Sequence, residues 1–224
     1  MTSKEFPGHL NALQFDVLKA FKEPSFFLTG GGALIGFYGH KRVTRDLDLF
    51  TRDENAFRIG ADTLRDAVSR IGGNLQVLRT TPYFRRFHVT RTEETTLVDI
   101  VLETVSAVSE PIVLPDHDIL IDTTEELIVN KICALVGRAE PRDLVDLHFL
   151  HNQGLSLGNA ISQAQNKDGG VGTDTLLFAL QGVSSSQLDD SVKKFLSSLL
   201  EETQAGPTSA RIALMTLFFA NYKS

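Results

Sequence analysis

The hydrophobic positions of this chain follow two rhythms, mixed up to about residue 120 and helical beyond it. Residues 9–22 set Leu10, Leu13, Val17, Leu18 and Phe21 at helical spacing and predict an amphipathic helix ending before Pro24. Ser25–Thr29 reads as a short apolar strand, and Gly30–Gly32 turn the chain into a helix from Ala33 to about Tyr38. A connection over Gly39–Arg45 leads to a strand, Asp46–Thr51, and then to a helix over about 54–71 that Gly72-Gly73 stops. Leu75–Thr80 and Tyr83–Arg91 alternate as strands do. In the second, Phe87 and Val89 share one face and Arg86, His88 and Thr90 the other. Leu97–Leu102 is an apolar run broken by Asp99, a buried strand with one acidic side chain. Residues 103–123 read as loop, with Ile119–Ile121 as an edge strand.

From Thr123 the period changes. Thr123 and Glu126 have capping-box spacing and open a helix to about Gly137, with Leu127, Ile128, Ile132, Leu135 and Val136 as its apolar stripe. Further helices are predicted at 141–152, 157–166, 173–183, 187–203 and 207–222, with a polar, glycine-rich loop over 166–173. The last helix is apolar on most sides, which suits either a core or a partner surface. The pattern predicts two domains: an α+β domain over 1–120 and a helical domain over 121–224.

Charge sharpens this picture. The chain of 224 residues carries a net charge of −6, which argues weakly against nucleic acid. Yet Tyr38–Arg91 holds 11 Lys and Arg against 6 Asp and Glu, while the rest holds 11 against 22. That basic segment suits a polyanion such as a nucleoside triphosphate or RNA, although helical Arg58, Arg65 and Arg70 also fit a solvated face. The single cysteine, Cys133, excludes an internal disulfide framework and a multi-cysteine zinc site. No signal peptide and no membrane span is evident, so a cytoplasmic location is expected.

Within the basic segment lie Asp46 and Asp48, two apart on a predicted strand and therefore on one face of it. A two-metal phosphoryl-transfer site needs such a pair and a third carboxylate on a neighbouring strand. Asp99 is the candidate, because an aspartate amid Leu97, Val98, Ile100 and Val101 is costly to bury unless bound to a metal or paired with an arginine. Asp116 and Asp118, also two apart, sit in a proline-containing loop and read as solvated turn residues. Gly30, Gly31 and Gly32 offer backbone amides that phosphate oxygens can approach closely. No Gly-Lys-Ser/Thr follows them, so they do not form a P-loop. His148 and His151 share a helix face without an evident third ligand.

The run Phe27-Leu28-Thr29-Gly30-Gly31-Gly32-Ala33-Leu34, then Gly39-His40-Lys41-Arg42 and Thr44-Arg45-Asp46-Leu47-Asp48-Leu49-Phe50, resembles the first motif of the AbiEii/AbiGii-type nucleotidyltransferase toxins, within the DNA polymerase β-like superfamily. Glu126-Leu127, Lys131, Ala134-Leu135, Gly137-Arg138 and Arg142-Asp143-Leu144-Val145-Asp146-Leu147 resemble the family's later helical motif. The resemblance covers roughly residues 25–150.

It implies an α+β fold, with a mixed sheet flanked by helices and an all-helical C-terminal half, binding Mg²⁺–NTP between the halves. It implies that Asp46 and Asp48 bind metal, that Asp99 completes the ligand set, and that Gly30, Gly31 and Thr44 lie along the nucleotide. Gly32 stands where the family often has Thr or Ser. Lys131 would face the nucleotide, or else snorkel from the apolar stripe; Asp146 would serve the later motif, or else pair with Arg142 along the helix. The implied activity is Mg²⁺-dependent transfer of NMP from NTP to an acceptor hydroxyl, with RNA, tRNA in particular, as acceptor. The implied setting is a toxin with an antitoxin partner, or phage defence. An NTP-binding regulatory module without transfer activity and a small-molecule nucleotidyltransferase are the alternatives.

Overall fold

The computed structural model describes residues 9–21, 25–114 and 118–204, so the helix expected over 207–222, like Asp116, lies outside the described residues. The chain divides into two units, residues 1–123 and 124–224.

The first unit is built on a mixed sheet. Its elements are α1 (Ala12–Leu18), a 3-10 turn (Lys19–Phe21), β1 (Phe27–Thr29), α2 (Gly30–Phe37), β2 (Asp46–Thr51), α3 (Glu54–Arg70), β3 (Asn74–Thr80), β4 (Phe84–Arg91), β5 (Glu94–Leu102), β6 (Ile112–Leu114) and β7 (Ile119–Ile121). The strand order is β3-β4-β5-β2-β1-β7-β6. The pairs β2–β5 and β1–β7 are parallel, and the others are antiparallel. Period-two alternation makes β2 two-faced: Leu47, Leu49 and Thr51 are buried, while Asp46, Asp48 and Phe50 are half-buried. Helix α3 packs on β2, β3 and β5, and its Gly60 lets Phe26 and Ile100 come close.

Two expectations need correction. Ile119–Ile121 is not an edge: β7 lies between β1 and β6, and β6, within the stretch read as loop, forms the edge. Ile112 and Val113 in β6 are exposed, and a three-residue strand carries too little periodicity to stand out. Asp118 is the exposed turn residue expected, at φ +50° in the connection from β6 to β7. The glycines form no turn ahead of a helix; α2 begins at Gly30 itself.

Helix α1 is fixed by a capping box in which the Asn11 side chain accepts from the Gln14 amide and the Gln14 side chain accepts from Asn11. The Gln14 side chain, 1% exposed, also donates to the Thr44 carbonyl (3.1 Å) and the Thr96 hydroxyl (3.3 Å). On the β1–β7 side of β2 the Thr29 hydroxyl donates to Asp122 (2.5 Å), and the Tyr38 hydroxyl donates to the Asp122 carbonyl (2.7 Å).

The second unit is helical: α4 (Thr124–Arg138), α5 (Pro141–Asn152), α6 (Leu157–Lys167), α7 (Thr173–Gly182), a 3-10 turn (Ser185–Gln187) and α8 (Asp190–Gln204). Helix α4 is central, packing on α5, α6 and α7. Of the stripe expected from the sequence, Leu127, Ile128, Ile132 and Leu135 are buried and Val136 is half-buried. Glu126, at capping-box spacing, turns its carboxylate to Lys167, which also donates to Asn130 (2.7 Å).

Candidate active site

The sheet register assembles the carboxylates. Asp46 opposes Leu97, Asp48 opposes Asp99, and Phe50 opposes Val101 across the parallel β2–β5 pair. Paired residues share a face, so Asp46, Asp48 and Asp99 lie on the same side of the sheet at adjoining positions. Across the antiparallel β4–β5 pair, Arg86 opposes Asp99, and His88 and Phe84 oppose Leu97 and Val101. This face of three strands therefore carries three acids and one guanidinium.

Asp99 is 4% exposed. Arg86 grips it with a fork, Nε to Oδ1 at 2.8 Å and Nη2 to Oδ2 at 2.6 Å. The arginine pair that the sequence allowed for this buried aspartate is formed. The bond to Asp99 raises the Arg86 pKa above its ordinary value against the cost of desolvation, and the charges of Asp46 and Asp48 add to it. The Arg86 side chain is 40% exposed and lies 5.5 Å from the centre of the Phe84 ring. Among the described residues, no group of three or more His, Cys, Asp or Glu side chains is arranged to hold a metal ion.

The glycines border this cluster. Thr29 opposes Asp48 across β1–β2, so α2 starts beside the aspartate. Gly30 has φ +62°, and a Cβ there would collide with the Asp48 carboxylate. A Cβ on Gly31 would reach Arg42 Nη2 at 2.6 Å and Thr44 Oγ1 at 3.5 Å. At Gly32 it would meet Leu28 Cδ1 at 3.2 Å and Leu47 Cδ2 at 3.5 Å, so position 32 is turned toward apolar side chains. Thr44 bridges the start of β2: its hydroxyl accepts from Asp46 N–H and donates to the Asp46 carbonyl, both at 3.2 Å. Gln14 and Thr96, which the sequence does not single out, brace the same segment, since the Thr96 hydroxyl donates to the Arg45 carbonyl (3.0 Å). Only their burial reveals them.

Lys131 and Asp146 belong to the second unit. The Lys131 ammonium, 6% exposed as a residue, meets Asp146 at 2.7 Å and Asp143 at 3.2 Å. Arg138 closes the other side of Asp143 with a two-point grip, at 2.7 and 2.8 Å. Arg142, the candidate helix partner of Asp146, meets Glu140 at 2.5 Å. His148 and His151 both pack on the Phe195 ring, at 5.0 and 5.6 Å. Cys133 is half-buried, and burial pushes its thiol up.

A sequence model of the family described as "Nucleotidyl transferase AbiEii toxin, Type IV TA system" matches residues 13–215. The chain belongs to the AbiEii family. It is a nucleotidyltransferase, and membership implies a nucleotide substrate and an antitoxin partner. Nucleotidyltransferases generally use a divalent metal. Solved structures share the fold. JHP933 from Helicobacter pylori has a TM-score of 0.59 at 20% identity, covering 95% of each chain. MenT4, a nucleotidyltransferase toxin from Mycobacterium tuberculosis H37Rv, has a TM-score of 0.55 at 17% identity, covering 89% of this chain and 84% of its own. No curated protein sequence matches the chain. Among the described residues no helix is long and apolar enough to cross a membrane.

Proposed function

We propose that this AbiEii-family chain is a cytoplasmic toxin that transfers NMP from NTP to an acceptor hydroxyl on RNA, tRNA in particular, breaking the α–β phosphoanhydride bond and releasing pyrophosphate, in a reaction dependent on Mg²⁺. A cognate antitoxin holds it in check. The observation that carries the reading is the placement of Asp46 and Asp48 on one strand face, with Asp99 in register and the start of α2 alongside. Two half-buried carboxylates side by side are hard-oxygen donors suited to Mg²⁺, which keeps its other positions for water and phosphate oxygens. Asp46 and Asp48 would hold the ion. When bound, it supplies charge neutralisation of the triphosphate and activation of the acceptor hydroxyl.

The rest falls to the chain itself. The amides of Gly30–Gly32 at the start of α2 receive phosphate oxygens, and the missing Cβ at Gly30 keeps Asp48 close to them. Thr44 and Gln14 hold the segment entering β2 and so fix the aim of Asp46. The basic stretch around the strand pair, with Arg86 and His88 on the same sheet face, suits an RNA phosphate backbone. Lys131 and Asp146 tie α4 to α5. Asp99 anchors Arg86.

The test is incubation of the full chain with each labelled NTP, Mg²⁺ and total RNA, beside Asp48→Ala. Label on RNA that vanishes in the variant is the expected outcome. Label confined to a small metabolite would replace RNA with a small-molecule acceptor, and NTP binding without any transfer would overturn the reading.

A further inference from the structure

The two-metal scheme asks each of three carboxylates to face a cation. Here one of the three already does. Asp99 sits directly across the strand pair from Arg86, and both of its oxygens accept from that guanidinium. A bidentate arginine–carboxylate pair is among the stronger polar contacts in proteins, and separating it would leave the 4%-exposed Asp99 to be re-satisfied. The Phe84 ring beside the guanidinium gives it a wall to rest on. Arginine has five N–H groups, and the fork on Asp99 uses two. Asp46 and Asp48 lie on the same face, Asp48 in register with Asp99 and so with Arg86 beyond it.

We propose that Arg86 is a positioning and charge-neutralising residue that takes the place of one metal ion. In this arrangement Asp46 and Asp48 hold a single divalent ion, Asp99 stays with Arg86, and the guanidinium turns its remaining N–H groups to a phosphate oxygen of the substrate. This rests on the reading of the site as metal-dependent and departs from the expectation that Asp99 ligates metal. It predicts that the chain works as a one-metal enzyme with a fixed organic cation. A planar guanidinium suits that part because it cannot lose its proton and its donors match an anion's oxygens in pairs.

Counting metal tests the proposal without reference to turnover. Mn²⁺ is titrated into the full chain with the α,β-methylene analogue of each NTP, and the bound ion is counted by electron paramagnetic resonance. One Mn²⁺ per complex is expected in the unsubstituted chain, and two would overturn the proposal. Asp99→Asn, which still accepts from Arg86, is expected to leave Mn²⁺ affinity within about threefold, whereas Asp48→Asn weakens it at least about a hundredfold. Equal losses in the two variants would make Asp99 a ligand and overturn the proposal.

Arg86→Gln frees Asp99 and is expected to add a second, weaker Mn²⁺, while Arg86→Lys keeps the count at one. A folded Arg86→Gln chain that still binds one ion would overturn the proposal. Asp99→Asn decides the matter even if Arg86→Gln does not fold. A chain that binds no Mn²⁺, or binds it unchanged in Asp48→Asn, would bring down the metal-dependent reading itself. Two ions in the unsubstituted chain bring down the Arg86 assignment alone.

Discussion

The two units each carry a cluster of acids gripped by basic side chains, built for different ends. In the helical unit, Lys131, Asp143, Asp146 and Arg138 knit α4 to α5, with Asp143 and Asp146 wholly buried. In the sheet unit, Arg86 holds one buried acid, while Asp46 and Asp48 beside it remain half-buried. A buried pair mainly protects itself: breaking it strands a charge, so it resists change and offers little to a ligand. A partly open cluster stays within reach of a ligand and can trade partners. Charge type does not separate the two clusters. Access does.

Breaking each cluster should therefore fail in a different measurement. The largest effect is expected from Asp146→Ala, which removes the nearer partner of the buried Lys131. It should cost about 3–5 kcal/mol in denaturant unfolding, with activity lost only as far as the chain unfolds. Asp48→Asn should do the reverse, lowering transfer at least about a hundredfold with the unfolding midpoint nearly unchanged. Gly30→Ala sits between them. Its φ of +62° should cost about 1–2 kcal/mol, and its Cβ should push the Asp48 carboxylate aside, so stability and transfer fall together.

The smallest effect concerns pH. Burial holds His148 below its ordinary value, although Asp189 works against this. The folded helical unit thus prefers the neutral ring. Its stabilising contribution is complete above about pH 6.5 and declines as the pH falls toward the folded value. Thermal melts between pH 7 and 5 should show this slope, and His148→Gln should flatten it.

How far these clusters could be read in advance depended on the range of the contacts. Helix α4 and its apolar stripe follow from local spacing, as does the shared face of Asp46 and Asp48. Alternation also places Arg86 opposite Phe87. That Arg86 faces Asp99 depends on the register of the β4–β5 hairpin, set by the turn after Arg91, where Thr92 has φ +50°. The motif resemblance supplied the family, but it could not say whether an arginine already held the third acid. Lys131 and Asp146 were conspicuous by type; their pairing across the turn between α4 and α5 was not, because it joins two helices. β6 and the interior place of β7 escaped because β7 pairs with β1 from more than ninety residues away.

The strand order has a consequence for the birth of the protein. Asp48 is synthesised about fifty residues before Asp99, its neighbour on β5, and Arg86 arrives between them. Strand β2 is held by β5 on one side and by β1, itself flanked by β7, on the other. A ribosome that has released only the glycines and the first two acids has released an inert peptide, since this sheet closes through long-range pairings that local folding cannot supply. The carboxylates and Arg86 come together only once β5 has joined the sheet.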